Sequence, residues 1–468
     1  MTTRKDMIVM KFGGTSVRNK EAIERVVSIV RSRLSEKPLV VVSALAKVTR
    51  LLCQIAEEAE SRHSSEVEGL LASLRDRHTS LAAELLAGSD ENSGRNSLLT
   101  ECFTRVNALC DSLTDFVRGV CQIGELSPRS YARIVSTGEL LSSVIVSAAM
   151  NARGINCGWL DARDMVVTDS DYMSAAPDLA ATEANVKRIV PEASKGVSVL
   201  LTQGFIASSA EGYVSVLGFE GSDYSAAIFG MALDASRVEI WTDVDGIRSA
   251  DPRVVPDTER IARVSYEEAS EMAFLGARVL HPLTIEPARK RNIPVCVLNS
   301  MNPSCAGSVV TGEKVESGPK TVSSRDDVDY LEIRSGKIMG VSAMMSAVFR
   351  EIGAAAVRIC LVCASESLLS ITMESGQPGA EAFVASLRKM FDVTLYRDKA
   401  QISVVGKDAV LVPGLADNML HSAEKVYMMS QSPSLLSSSI VIDRENMEKA
   451  VTSLHRALFG KQPGTASE

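Results

Sequence analysis

The stretch Val9-Met10-Lys11-Phe12-Gly13-Gly14-Thr15-Ser16-Val17 constrains this chain more than any other. Apolar residues lead into a lysine. Two adjacent glycines and two hydroxyl residues follow, and then an amphipathic segment begins. A strand that hands over to a helix through glycines exposes backbone N–H groups at the positive end of the helix dipole, a setting suited to phosphate oxygens. Lys11 adds a full positive charge there, as phosphoryl transfer requires. The lysine precedes the glycines, so this is not the GxxxxGK[ST] phosphate loop, and the same pattern also serves an ordinary tight strand-to-helix turn.

Further along, Ile23, Val26, Val27, Val30 and Leu34 recur at helical spacing. Pro38-Leu39-Val40-Val41-Val42-Ser43 reads as a strand buried on both faces, as in parallel sheets. The loop Ser43–Thr49 ends that strand. Residues 50–150 are mostly helical in pattern, broken by the polar loop 88–94, and Ser136-Thr137-Gly138-Glu139 reads as a capped helix start. Strands are predicted at 156–160, 197–202, 213–217, 237–241 and 294–298 with helices between many of them, which argues for an α/β domain with a largely parallel sheet. Ligands bind such sheets at the carboxyl ends of the strands. The candidate loops 11–16, 43–49, 203–205, 218–224 and 242–253 all follow strands.

A polar stretch with Gly and Pro covers 302–327 and reads as a connection. Beyond it the order becomes strand 329–334, helix 342–353, strands 357–362 and 368–373, and helix 379–391. A second pass has strands 393–397 and 400–405, helix 413–423, strands 424–428 and 437–442, and helix 444–458, suggesting a tandem repeat. The expected division is 1–305, a linker at 306–327, and small modules at 328–395 and 396–468, the second open to being nested in the first.

Composition excludes several function classes. The 468 residues carry a net charge of −8 and a pI near 5.5, and 4% are aromatic, so no nucleic-acid surface is expected. The nine cysteines are scattered singly, which fits reduced thiols in a cytoplasmic protein. Cys360-Leu361-Val362-Cys363 is formally CxxC but sits in an apolar, strand-like run with no helix start after it. The five histidines show no metal-ligand spacing. No signal peptide is visible, and no run of 18 apolar residues marks a membrane span.

Two more loops bear chemistry. Gly218-Phe219-Glu220-Gly221-Ser222-Asp223 opens a helix that Ser222 can cap, with Asp223 in its first turn; a capping pair and a carboxylate aimed at a lysine, a metal or a substrate ammonium both fit. Trp241-Thr242-Asp243-Val244-Asp245-Gly246-Ile247 ends a strand with groups suited to a base and ribose, with Arg248, Arg253 and Arg278 downstream.

Together with Gln203-Gly204-Phe205-Ile206, Asp251-Pro252-Arg253-Val254-Val255 and Val279-Leu280-His281-Pro282, these motifs resemble the aspartate kinases over nearly the full length. The resemblance implies an α/β, amino-acid-kinase-like three-layer αβα sandwich with a mostly parallel sheet. Two ferredoxin-like βαββαβ (ACT) modules would follow, which commonly dimerise and bind an amino-acid effector. It implies that Lys11 and Asp223 are catalytic, and that Lys11, Gly13, Gly14, Thr242, Asp243, Arg248, Arg253 and Arg278 hold ATP, with Mg²⁺ accompanying it. Ser43, Thr49, Glu139, Phe205 and Ser222 would bind L-aspartate, with Glu139 meeting its ammonium. Met344, Met345, Ser365 and Glu366 would be candidates for an effector site. The product would be 4-phospho-L-aspartate, at the entry to lysine, threonine, methionine and diaminopimelate synthesis, made by a homodimer that needs no protein-built metal site, nucleic acid or membrane.

The chain departs from that pattern in places. Phe219 stands where an arginine usually clamps the substrate α-carboxylate, Arg278 where lysine is common, and Arg248 where tyrosine is common. Cys360 fills the place of an aspartate usual in lysine-sensing modules, so weak or absent lysine inhibition is expected. A kinase for another small carboxylate or carbamate, and a weakly active ACT-containing regulatory protein, are the competing readings.

Overall fold

A computed structural model describes residues 7–86, 93–218, 220–277, 280, 282–335 and 340–460. Along the chain its strands are β1 (Ile8–Phe12), β2 (Leu39–Val42), β3 (Cys157–Trp159), β4 (Val167–Thr168), β5 (Val199–Gln203), β6 (Ile206–Ser209), β7 (Val214–Val216), β8 (Arg237–Thr242), β9 (Arg263–Ser265), β10 (Val295–Asn299), β11 (Ser308–Thr311), β12 (Thr321–Arg334), β13 (Ile359–Ala364), β14 (Leu368–Glu374), β15 (Asp392–Val405), β16 (Met428–Gln431) and β17 (Ser437–Asp443). The helices are α1 (Lys20–Arg31), α2 (Val48–Glu60), α3 (Ser64–Leu86), α4 (Ser93–Ile123), α5 (Pro128–Val135), α6 (Thr137–Ala152), α7 (Leu179–Ala193), α8 (Gly221–Leu233), α9 (Tyr266–Phe274), α10 (Pro282–Lys290), α11 (Val341–Ala355), α12 (Ala380–Arg388), α13 (Leu415–His421) and α14 (Met447–Phe459). They form two compact units, Met1–Gly246 with Leu283–Gly312, and Ile247–Pro282 with Glu313–Glu468.

In the first unit the strands lie in the order β3-β5-β2-β1-β8-β10-β11. All neighbours are parallel except β10 and β11. Every residue of β1, β2 and β5 is buried, so helices must cover both faces. Helix α6 packs on β2, β3 and β5 beside α1, and α8 packs on β1, β2 and β8 beside α7. The register sets Phe12, Val42, Gln203 and Trp241 in one row, so four strands deliver their carboxyl ends to the same edge.

Helix α1 buries Ile23, Val26, Val27 and Val30 as their spacing predicts. Asn19 caps it by accepting from the Ala22 amide at 3.1 Å, and Leu34 lies beyond the helix end in a 3₁₀ turn. Ser136 does not cap α6. Helix α5 runs directly into it, and the Ser136 hydroxyl donates to the Arg133 carbonyl instead (2.9 Å). The segment Pro128–Ala152 is long and apolar enough to cross a bilayer by composition, but 89% of its most apolar window is buried inside the protein, which marks it as core. Most of the polar loop 88–94 lies outside the described residues.

The second unit holds a six-stranded antiparallel sheet in the order β13-β14-β12-β15-β17-β16. The 306–327 stretch, read as a linker, contains β11 and the start of β12. Strands β12 and β15 are 14 residues each and pair from Thr321 with Val405 to Arg334 with Asp392. Their 328–334 and 392–396 portions complete β12-α11-β13-β14-α12-β15, a full βαββαβ module. Their other halves complete β15-α13-β16-β17-α14, whose fourth strand is the first half of β12. The second module is therefore finished by chain that precedes the first, which the repeat pattern left open. Each module has its own helix-side core, around Leu331, Phe383 and Leu387 in one and Ile402, Ile440 and Leu454 in the other. Tyr330, Tyr396 and Tyr427 pack mutually, with centroids 5.5–5.8 Å apart. Ala250 and Val255 join the core of the second module, and Ser249 shares a 2.8 Å hydrogen bond with His455.

Candidate active site

Lys11 is the penultimate residue of β1, and Asp223 sits in the first turn of α8. Lys11 Nζ and Asp223 Oδ1 are 2.5 Å apart, in ion-pair contact though not in hydrogen-bond alignment. Both are largely sequestered, at 11% and 16% side-chain exposure. They line a cavity of about 380 Å³ that also gathers Gly13, Gly14, Ser43, Thr49, Glu139, Phe205 and Ser222. Residues spread over more than two hundred positions thus share one space. Ala44, Leu45, Ala46, Lys47, Gly218, Glu220 and Gly221 complete its wall.

Two loop contacts build this space. The Gly14 carbonyl accepts from the Ala46 amide (3.1 Å), and a Cβ on Gly14 would stand 2.9 Å from the Ala44 carbonyl oxygen. Only a residue without a side chain lets the first two strand-end loops meet. Gly14→Ala is expected to cost about 1–3 kcal/mol of stability through overpacking and to lower kcat/KM by up to about 10²-fold through displaced groups. Thermal unfolding and steady-state kinetics measure the two effects. Across the cavity, Gly204 stands in the same relation to Ser222, whose Cβ a side chain there would approach to 2.7 Å. Phe205 takes a left-handed backbone, φ 69°, and its N–H donates to Ser225 Oγ at 2.9 Å. Ser222 does not cap α8: the cap position is Glu220, and no side chain caps the helix.

Glu139 is the most perturbed group of the site. It is 3% exposed, its Oε1 accepts from the Ala44 N–H at 3.1 Å, and its Oε2 has no hydrogen-bond partner. Burial raises its pKa to about 8, against the opposing pull of the Ala44 N–H. A buried carboxyl with one oxygen unsatisfied, on the wall of a polar cavity, is a ready partner for a cationic ligand.

Thr242 ends β8, the strand beside β1, and Asp243 follows it; neither is part of the cavity wall around Lys11. The Thr242 carbonyl accepts from both the amide and hydroxyl of Ser300 (2.8 and 3.0 Å), and Ser300 Oγ pairs with Ser16 Oγ at 2.9 Å. These serines tie the glycine loop to the end of β8, a link the sequence does not announce. Arg248 and Arg253 belong to the other unit, where Arg248 donates to Thr258 (3.0 and 2.9 Å) and Arg253 grips Asp251. Arg278 and Phe219 lie outside the described residues. Among the described residues no group of three or more His, Cys, Asp or Glu side chains could hold a metal.

In the regulatory half, Met344 is fully buried in the module core beside Val348 and Leu331, so its side chain is a packing element and not a ligand contact. Met345 packs partly buried on the same cluster, and Ser365 and Glu366 are exposed at the β13–β14 turn. Cys360 and Cys363 are free thiols on β13, with no helix following them.

Residues 6–299 match the amino acid kinase family and residues 402–458 an ACT domain. Aspartokinase 3, chloroplastic, of Arabidopsis thaliana is 30% identical over 476 residues, covering 98% of this chain and 82% of its own length. The chain belongs to the amino acid kinase family, among its aspartokinases. The bifunctional aspartokinase/homoserine dehydrogenase 1, chloroplastic, of Arabidopsis thaliana is 29% identical over 96% of this chain, which spans about half (51%) of that relative's length. Escherichia coli aspartokinase III, solved with aspartate and ADP (R-state) and with lysine and aspartate (T-state), is 29% identical with a TM-score of 0.80 over 97% of this chain and all of that one. The parallel-sheet domain and the paired ferredoxin-like modules of this aspartokinase family member agree with those likenesses.

Proposed function

We propose that the chain phosphorylates the side-chain carboxylate of L-aspartate with ATP, giving 4-phospho-L-aspartate. The observation that carries this is the shared cavity. Its wall offers a lysine and two glycines beside a strand terminus, together with a buried carboxyl with an unsatisfied oxygen. A dicarboxylic amino acid spans such a space, its ammonium at Glu139 and its side-chain carboxylate toward Lys11. A carboxylate oxygen attacks the γ-phosphorus and ADP leaves, so the protein's work is alignment and charge neutralisation. Lys11 offsets charge on the moving phosphoryl group, and Asp223 holds the Lys11 ammonium in position. Thr242 and Asp243 take the nucleotide, and Ser43, Thr49, Phe205 and Ser222 frame the aspartate.

Mg²⁺ would accompany ATP and lower the charge of its phosphates. Hydroxylamine trapping tests the whole reading: acyl hydroxamate should form with ATP, Mg²⁺ and aspartate. Turnover of a different carboxylate or a carbamate, with none of aspartate, would shift it to another kinase of this fold.

The ACT modules serve as the association and sensing half of a homodimer. Strand β13 supports this, an apolar edge strand left half-buried along most of its length. The nine free thiols agree with a reducing, cytoplasmic setting. An amino-acid effector binds near Met345, Ser365 and Glu366. Lysine should inhibit weakly or not at all, because Cys360 brings no carboxylate to meet an effector ammonium, and the Arg325 guanidinium beside it (Sγ to Nη1 4.0 Å) is already paired with Glu374. Sub-millimolar inhibition by lysine in the same assay would overturn this.

A further inference from the structure

We infer that Lys47 is the residue that receives the α-carboxylate of the amino-acid substrate, and so sets its preference for an α-amino acid; this rests on the reading above. The glycine-rich loop from Gly218 to Asp223 brings two carboxylates and no cation. The basic side chains on the cavity wall are Lys11 and Lys47. Lys11 is committed to Asp223. Lys47 is exposed and has no carboxylate partner among the described residues.

Position within the loop makes the assignment specific. The ammonium and α-carboxylate of an amino acid share one carbon, so their partners must be neighbours. Glu139 is clasped by the amide of Ala44, three residues before Lys47 on the same loop. Lys11, paired with Asp223, comes from β1 and not from that loop. A substrate lying with its ammonium at Glu139 therefore presents its α-carboxylate toward Lys47. Thr49 also lines the cavity, in the first turn of the 13-residue helix α2, where the dipole favours an anion.

The backbone adds a second sign. Lys47 holds φ 69° at the cap position of α2, a left-handed conformation that glycine adopts freely and a lysine does not. Strained positions of this kind gather at sites where the side chain is used.

The test compares the unaltered enzyme with Lys47→Gly and Lys47→Arg, using hydroxamate trapping with aspartate varied at saturating MgATP. Glycine accepts this backbone, so Lys47→Gly keeps the fold, which circular dichroism and thermal unfolding check. Lys47→Gly should raise KM for aspartate about tenfold or more with kcat held within about twofold, and Lys47→Arg should recover most of the affinity. Aspartate α-amide keeps the ammonium and side-chain carboxylate but lacks the α charge, so its KM should hardly change on Lys47→Gly. An unmoved KM for aspartate overturns the assignment, as does an equal loss for the amide. If the unaltered enzyme forms no acyl phosphate from aspartate, the proposed function fails and this inference with it. Normal turnover with an unmoved KM removes Lys47 alone.

Discussion

Lys11→Ala is expected to lower kcat for acyl-phosphate formation on the order of 10³-fold, at the upper end of what one preorganised donor supplies in a site closed to water. The loss should exceed any change in KM for aspartate, because the ammonium serves the charge that moves and not the ground-state amino acid. Removing Lys11 also leaves the Asp223 carboxylate without its counter-ion, so the single variant should lose stability as well. The pair is partly reached by solvent, and the cost should fall below the roughly 3–5 kcal/mol seen when fully buried pairs are broken. The double variant Lys11→Ala with Asp223→Asn separates the two effects. It should recover melting temperature and stay inactive. Recovery of turnover in the double variant would mean that Lys11 merely neutralises Asp223.

Glu139→Gln carries the second large effect. Removing the charge that meets the substrate ammonium costs a charge-assisted hydrogen bond of roughly 1.5–3 kcal/mol, which corresponds to a KM for aspartate raised about ten- to a hundredfold. The pH dependence is the sharper test. Burial lifts Glu139 from 4.5 to about 8, so between those values the folded enzyme keeps a proton that the unfolded chain has released. In that window the native state binds more protons, and stability falls as pH rises, by about 1.4 kcal/mol per pH unit from this group. Glu139→Gln should abolish that slope. Ligand binding runs the other way: an arriving ammonium favours the ionised carboxyl, so aspartate should bind with release of a proton near pH 7. KM for aspartate should then fall as pH approaches 8 in the parent enzyme and stay flat in Glu139→Gln. A flat KM profile in both proteins would remove Glu139 from contact with the substrate ammonium.

Much of this site was readable before any coordinates because its chemistry sits at strand ends. Three buried apolar runs, each followed by small and polar residues, already imply a parallel sheet with one reactive edge, and Lys11 falls where that logic puts it; Glu139 comes instead from the first turn of α6, directly behind α5, and Asp223 from α8, behind a strand of a separate three-stranded sheet. Features set by long-range pairing were not readable. Nothing local in 306–327 shows that Thr321–Arg325 pairs with Gln401–Val405, because strand register is decided by a partner some eighty residues away. The same holds for Ile247–Pro282, whose residues reach the core of the second module although both flanking segments belong to the first unit. Ser136 and Ser222 misled for a different reason. Each has the composition of a helix cap, but one continues a preceding helix and the other is already inside its own. Lys47 carried no signal at all, since an isolated lysine after a strand is usually solvated, and only its left-handed backbone and its place on the cavity wall set it apart.

The two 14-residue strands that run through both regulatory modules have a further consequence. The dependence is one-sided: a cut after residue 396 leaves the first module, which is contiguous over 328–396, but strips the partners from the first half of β12, and entering later than residue 321 leaves the last module without an edge. The ladder shifts register between Arg325 and Tyr330, where the two halves meet, so a ligand that tilts one half passes its motion to the other only through that bulged junction.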